Sequence, residues 1–167
     1  MPAQNGNKLP AGSVNKRLEE LGIMLPAAPK PLGSYVESVG VGNLLFLTGA
    51  LPVANGKLAI SGRLGESLSV AEGQEAARIA SLNVLAIAKE HLGTLDPLRR
   101  LIKLTVLMRT TESFADLPKV ADGASNFFEQ IFGKEAGHAR LVYGVLNLPI
   151  GAPVIVDTIF EIEPADK

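Results

Sequence analysis

The pattern of hydrophobic and polar residues changes its period several times along the chain, and each change marks a predicted element. Two long segments have the helical period. The first follows Ser69, which has Glu72 at the spacing of a capping box, and the second follows Asp116, the predicted N-cap residue of that helix. A shorter helix is predicted over residues 14–21, with Ser13 as its N-cap residue.

Strands are predicted where apolar and β-branched residues alternate or run together. The turn sequences Gly-Val-Gly-Asn and Ala-Asn-Gly-Lys separate the first three strands, and the connection Pro-Ile-Gly-Ala-Pro joins the last two into a predicted hairpin. The predicted strands cover residues 35–39, 44–48, 57–60, about 101–108, 140–148 and 154–162.

This order of elements predicts an α+β fold in which one sheet carries both long helices on the same face. The last two strands are apolar at nearly every position, which is typical of strands that are buried on both faces. No further element of the 167-residue chain is available to cover the second face, so the pattern predicts that this face meets another subunit. We expect one domain over residues 26–163, preceded by an amino-terminal extension over residues 1–25 that contains the short helix.

Composition argues against several classes of function. The net charge of −1 lacks the basic excess of nucleic-acid-binding proteins, and the absence of cysteine excludes disulfides and thiolate sites. His91 and His138 are far apart in sequence, which argues against a histidine metal cluster, and His138 is expected to be a turn residue in contact with water. No signal-peptide pattern or membrane-length apolar run is visible, so we expect a soluble cytoplasmic protein with no nucleic-acid or membrane partner.

Arg140 is the main candidate for chemistry, because it places a full charge at the start of a strand that is predicted to be buried. A guanidinium in such a position needs an anionic partner or must line a cavity. Its fork of N–H donors suits a carboxylate. The alternatives are a surface arginine or an intersubunit ion pair, and the residue pattern alone slightly favours these.

Three spaced segments resemble the RidA family, also called the YjgF family. The closing segment, His-Ala-Arg-Leu-Val-Tyr-Gly-Val-Leu-Asn-Leu-Pro, contains Arg140 before a hydrophobic strand and a Leu-Pro pair. Residues 33–53 resemble the opening hairpin of the family, with Tyr35, Thr48 and Gly49 at matching places. Gln74, followed by Ser-Leu-Asn-Val-Leu-Ala-Ile, resembles its first helix. The resemblance covers about residues 26–163.

The resemblance implies a chorismate-mutase-like fold with one mixed sheet, assembled as a homotrimer with ligand sites in clefts between subunits. It also implies hydrolysis of enamine or imine intermediates such as 2-aminoacrylate to 2-keto acids and ammonia, and no cofactor or metal is expected. Arg140 matches the arginine that binds the substrate carboxylate. Tyr35 would orient water or the substrate nitrogen, and backbone groups around Thr48, Gly49 and Val142 would line the pocket. Alternatively, Tyr35 only packs at an interface, and Gly49 only marks a bend.

The chain departs from the family pattern at Ile155, because active deaminases of the family commonly have a glutamate there. Asp157 lies two residues later on the same face of the strand and is a candidate substitute in the substrate-binding site, although a solvated or intersubunit charge is the preferred interpretation. Ala121 stands where the family has an asparagine. Three hypotheses follow: an imine deaminase, a non-catalytic trimer that binds a small 2-imino or 2-keto carboxylate, and the endoribonuclease that some family members are labelled as. The lack of a basic patch argues against the last.

Overall fold

The computed structural model of the chain describes residues 8–10 and 12–163. Single 3-10 turns cover Lys134–Ala136 and Pro149–Gly151. The helices and strands, in chain order, are α1 (Ser13–Glu20), β1 (Ser38–Val41), β2 (Leu44–Ala50), β3 (Val53–Ala54), β4 (Lys57–Leu58), α2 (Val70–Leu92), β5 (Leu98–Arg109), α3 (Leu117–Phe132), β6 (Ala139–Val145) and β7 (Val154–Ile162).

Five strands form one mixed sheet in the order β1-β2-β7-β5-β6, and β3 and β4 form a separate small hairpin. β5 and β6 are parallel, while all other neighbours in the large sheet are antiparallel. The predicted hairpin of the last two strands is wrong, because β5 lies between β6 and β7. The connection over residues 146–153 is longer than a tight hairpin turn and can step across two strand spacings, about 10 Å.

Both long helices pack on the same face of the sheet, as the pattern predicted. The core between the two layers is built from aliphatic side chains of the strands and from rings such as Phe128 and Phe160, whose centroids are 5.8 Å apart in an edge-to-face arrangement. The two helices approach closely at Gly123, where an added Cβ would lie 2.2 Å from the carbonyl oxygen of Gln74. This contact sets how closely α3 packs against α2.

The helix starts follow local chemistry with two exceptions. The capping box of α2 is confirmed, since Ser69 Oγ accepts from the Glu72 N–H and the Glu72 carboxylate accepts from the Ser69 N–H. Asp116 occupies the N-cap position of α3, but its side chain makes no capping hydrogen bond because it pairs with Lys119 at 2.9 Å. Ser13 is the first residue of α1 rather than its cap, which is Gly12.

β1 begins at Ser38, so Tyr35 lies outside the strand that was predicted to contain it. The segment before β1 includes Pro26, Pro29 and Pro31, which lack the N–H groups that a paired strand needs. Tyr35 therefore belongs to an irregular segment next to the sheet, and this places its ring at a cavity described below.

The second face of the sheet carries no helix and is largely apolar. Val39 and Phe46 are paired across β1 and β2, and Leu141 and Tyr143 project from β6; all four are exposed in the single chain. β6 is thus not covered on both faces by this chain. Burial of this face by a second subunit remains a prediction.

The amino-terminal part of the chain packs against the domain where the structure describes it. Val14 and Leu18 of α1 are buried, and the Leu9 N–H donates to the Arg99 carbonyl. Residues 1–7 and 11 lie outside the described part, and the boundary at residue 25 remains a prediction. Among the helices that the structure describes, none is long and apolar enough to cross a bilayer.

Candidate functional site

A cavity of about 580 Å³ lies beside the carboxyl end of β2. Its lining comes from the irregular segment 26–32, from residues 48–56 at the end of β2 and in the β3–β4 hairpin, and from α2. Tyr35, Thr48 and Gly49, three of the predicted site residues, all line it. The structure therefore brings together the part of the predicted site that comes from the opening hairpin.

The Tyr35 hydroxyl accepts a 3.0 Å hydrogen bond from the backbone N–H of Leu32. A phenolic oxygen that accepts one bond keeps its own proton for donation. The side chain is 47% exposed, so this proton is accessible to a ligand or to water at the cavity.

Thr48 and Gly49 lie at an irregularity of the sheet, where the register between β2 and β7 shifts between Leu47 and Ala50. The Thr48 N–H donates to the Glu37 carbonyl at 2.8 Å. A Cβ at Gly49 would lie 2.4 Å from Cγ2 of Ile155 on β7. Glycine is therefore required at this position by the close contact with Ile155, and the interpretation of Gly49 as a mere bend is insufficient.

Asn83 connects the cavity to the helix layer. Its side chain is 1% exposed, and Nδ2 donates to the carbonyls of Leu51 and Val53 at 2.8 and 2.9 Å. This bond pair gives the amide a structural role, since a buried amide without partners would be costly. Because Asn83 also lines the cavity, it fixes the loop that forms one wall.

Arg140 stands at the opposite side of the sheet, on the edge strand β6. Three strand spacings, about 14 Å, separate β6 from β2. Arg140 Nη1 donates to Asp122 Oδ1 at 2.6 Å and to Ser125 Oγ at 3.1 Å, both on α3. Among residues 8–10 and 12–163, no acceptor is bonded to its Nε or Nη2, and the side chain is 27% exposed.

His138 completes the cluster around Arg140, because its Nε2 lies 3.0 Å from Ser125 Oγ. Burial lowers the pKa of His138, the charge of Arg140 lowers it further, and Glu129 opposes both. A low pKa favours the neutral imidazole at neutral pH. His138 lies in the loop before β6 and is half-buried against α3, so its expected contact with water is only partial.

Asp122 and Ser125 were missed by the sequence analysis. Their spacing of three residues places them on one side of a helix, and Ser125 interrupts a run of apolar core positions. That interruption was the available signal. Their pairing with Arg140 depends on how α3 packs over β6, which the sequence pattern does not specify.

Val142 and Asp157 lie away from the cavity. Val142 packs against the core on the helix side of β6. Asp157 is paired with Thr105 across β7 and β5 on the helix-free face. Burial raises the pKa of Asp157, while Lys103 and a hydrogen bond from Thr105 oppose this effect.

The comparisons with known proteins agree with this architecture. The family model described as "YjgF/chorismate_mutase-like, putative endoribonuclease" matches residues 15–162. The chain belongs to the YjgF/RidA family. The crystal structure of protein Atu1372 from Agrobacterium tumefaciens has a TM-score of 0.81 to it at 38% identity, and the match covers 90% of this chain and 93% of that one. The predicted YjgF/RidA family and its chorismate-mutase-like fold are confirmed.

Two curated relatives are similar to the chain over most of its length. Protein TCP17 from Trypanosoma cruzi is 42% identical over 153 residues, which cover 91% of this chain and 96% of that protein. The 2-iminobutanoate/2-iminopropanoate deaminase from Dermatophagoides farinae is 28% identical over 141 residues, which cover 84% and 95% of the two chains. One relative of the chain is thus named as a deaminase of 2-iminobutanoate and 2-iminopropanoate.

The candidate residues of this YjgF/RidA chain form two half-sites. The cavity half-site consists of the cavity and three residues that line it, Tyr35, Thr48 and Gly49. The arginine half-site consists of Arg140, Asp122 and Ser125. The first offers a hydroxyl donor beside mainly apolar walls, and the second offers a guanidinium edge that can bind an anion. Because the sheet separates them, one chain alone does not combine both functions.

Proposed function

We propose that the protein hydrolyses 2-imino acids to 2-keto acids and ammonia in a cleft between two copies of the chain. The cavity half-site of one copy would face the arginine half-site of the next. The observation that carries this proposal is the geometry of Arg140. Asp122 and Ser125 hold it through Nη1 alone, so the Nε–Nη2 edge of the fork is left for a substrate carboxylate.

The helix-free face of the sheet supports assembly of several copies. Val39, Phe46, Leu141 and Tyr143 are large apolar residues that are 39–49% exposed in the single chain. They lie at the two edges of this face, on β1 and β2 and on β6, and exposed apolar patches are typical of subunit interfaces. We propose a homotrimer, which is the assembly that the family resemblance implies.

The reaction needs positioning more than strong acid or base chemistry. With the carboxylate held by Arg140, the oxygen of a water molecule bonds to the imine carbon and one water proton passes to the nitrogen. The resulting carbinolamine transfers its hydroxyl proton to the nitrogen, the C–N bond breaks, and ammonia leaves the 2-keto acid. The Tyr35 hydroxyl, whose oxygen already accepts from Leu32, would donate to the substrate nitrogen and so orient the imine.

The deaminase relative from Dermatophagoides farinae supports this reaction class. The net charge of −1 argues against the endoribonuclease alternative, because binding of RNA depends on phosphate neutralisation. No nucleic-acid or membrane partner is proposed. A cytoplasmic location remains a prediction.

One observation favours a second candidate, in which the same cleft binds a small 2-keto or 2-imino carboxylate without turnover. Ile155 packs against Gly49, so an apolar side chain stands where family deaminases commonly have a glutamate. Asp157, the candidate substitute, lies opposite Thr105 in the sheet. A protein whose site holds the carboxylate but activates water poorly would bind the ligand without hydrolysing it.

A coupled assay separates these functions. An amino-acid oxidase generates 2-imino acids in place, and 2-keto acid release is followed with the wild-type protein, Arg140→Ala and Arg78→Ala. Arg78 is the matched control, because it is an exposed arginine that pairs with Glu75 at 2.7 Å and belongs to neither half-site. We expect Arg140→Ala to lower the accelerated release about 100-fold or more and Arg78→Ala to leave it unchanged.

Equal rates for wild type and Arg140→Ala would contradict the proposed role of Arg140. No acceleration by the wild type, together with Arg140-dependent calorimetric binding of 2-keto acids, would establish the binding function instead. Absence of both acceleration and binding would overturn both candidates.

A further inference from the structure

The cavity half-site is larger than a three-carbon 2-imino acid requires. Its volume of about 580 Å³ lies within the range of about 300–1,000 Å³ that is typical of pockets for much larger ligands. If only a small imino acid bound here, most of this space would be left to water against apolar walls. The volume therefore points to a substrate with a long side chain.

The walls of the cavity are mainly apolar on both sides. Pro26, Ala28 and Leu32 contribute one wall, while Leu51 and Ile87 lie in the other. The first wall is stiffened by its prolines, and the hydrogen bond from the Leu32 N–H to the Tyr35 hydroxyl ties it to the proposed reaction centre.

Ile150 adds a costly apolar residue to the same lining. Its backbone is left-handed, with φ 51° and ψ 17°, and its side chain is exposed. A β-branched residue is a genuine outlier in this region, where asparagine or glycine would be favoured. Strained residues persist where the surroundings or the function require their side chains.

We propose that this cavity receives a branched aliphatic or aromatic side chain of the substrate, so that the protein prefers 2-imino acids derived from leucine or phenylalanine to the one derived from alanine. The inference rests on the proposed function and specifies its substrate class. The carboxylate would bind Arg140 of a neighbouring copy, and the side chain would lie between the segment 26–32 and Ile87. Each buried methylene contributes about a fourfold preference, so the expected selectivity is on the order of tenfold to a hundredfold.

The first test compares 2-keto acids as binding probes and 2-imino acids as substrates. Calorimetry with pyruvate, 4-methyl-2-oxopentanoate and phenylpyruvate measures affinity without depending on turnover. The oxidase-coupled assay with alanine, leucine and phenylalanine measures catalysis. We expect tighter binding and a higher kcat/KM for the two large ligands by about tenfold or more.

Two variants test whether the cavity causes the preference. Ala27→Trp places a large ring in the cavity lining, and Ala59→Trp, at another exposed alanine outside it, is the matched control. Ile150→Gly removes an apolar wall residue while relieving its backbone strain, so loss of folding cannot explain its effect. We expect Ala27→Trp and Ile150→Gly to reduce the preference for large over small ligands about tenfold, and Ala59→Trp to leave this preference unchanged.

Equal or better binding and turnover of the alanine-derived ligand would overturn the inference while leaving the deaminase function standing. The same holds if Ala27→Trp weakens small and large ligands alike. Selective binding of large keto acids without any turnover would support the cavity inference and remove hydrolysis from the proposed function. If no keto acid binds and no imine is hydrolysed, both proposals fail.

Discussion

The Asp122 carboxylate accepts a 2.6 Å hydrogen bond from Nη1 of Arg140, across the contact between α3 and β6. The guanidinium is therefore oriented by an anion of its own chain before any ligand arrives. The same anion partly neutralises the positive charge that a substrate carboxylate would meet. Orientation and charge thus act in opposite directions on ligand affinity.

Asp122→Asn should separate these two effects, because it removes the charge and keeps a similar shape. We expect 2-keto acids to bind Arg140 about 2- to 5-fold more tightly, since an exposed ion pair is worth about 1 kcal/mol or less. Calorimetric titration measures this. Asp116→Asn is the control, as Asp116 pairs with Lys119 at the start of the same helix. Weaker binding by Asp122→Asn would show that orientation of Arg140 dominates.

Tyr35→Phe should lower imine hydrolysis with little effect on folding. The variant removes the hydroxyl that accepts from Leu32 and would donate to the substrate nitrogen. We expect kcat to fall about 10- to 100-fold and the free energy of unfolding to change by about 0.5 kcal/mol or less, because the side chain is exposed. Tyr143→Phe, on the helix-free face and similarly exposed, is the control. An unchanged kcat would leave Tyr35 with a packing role only.

Gly49→Ala should destabilise the protein through its contact with Ile155. The new Cβ would lie 2.4 Å from Ile155 Cγ2, whereas Ile155→Ala removes that methyl group. We expect Gly49→Ala to cost about 1–3 kcal/mol of unfolding free energy in the wild-type background and much less in the Ile155→Ala background. Urea unfolding of the four proteins measures the coupling. Additive effects would mean that the clash is relieved elsewhere.

Glu161 should make the stability of the protein depend on pH. Burial raises the pKa of Glu161, but hydrogen bonds from Lys8 and Arg100 outweigh this, and the net pKa lies below its ordinary value. A carboxylate with a lowered folded-state pKa contributes stability above its unfolded pKa, and this contribution is lost as pH falls through the folded pKa. We expect Glu161→Gln to cost about 1–3 kcal/mol at pH 7.

Urea unfolding at pH 7 and at about pH 3 tests this dependence. The difference between wild type and Glu161→Gln should shrink at the lower pH, because the wild-type carboxyl is then being protonated. A control variant, Glu75→Gln, removes an exposed carboxylate from an ion pair with Arg78 on α2 and should change stability by about 0.5 kcal/mol or less at pH 7. If Glu161→Gln lowered the free energy of unfolding equally at both pH values, this would contradict an ionic role for Glu161.

Local sequence determined most of the elements of this protein. The capping box at Ser69, the apolar stripes of the two long helices and the short turns before β2 and β4 each depend on residues a few positions apart. Such features are readable because their partners are neighbours in the sequence. The position of Arg140 at the start of a strand was likewise visible, as was the uncovered apolar face of the sheet.

Tertiary structure alone decided how these elements meet. It placed β5 between β6 and β7, although the sequence suggested a hairpin of the last two strands. It brought Asp122 to Arg140, and it pressed Ile155 against Gly49. These contacts join residues far apart in the sequence, and their choice depends on the packing of whole layers rather than on local propensity. The strand order of the sheet also keeps Arg140 away from Tyr35 within one chain, and this order was likewise decided by tertiary packing.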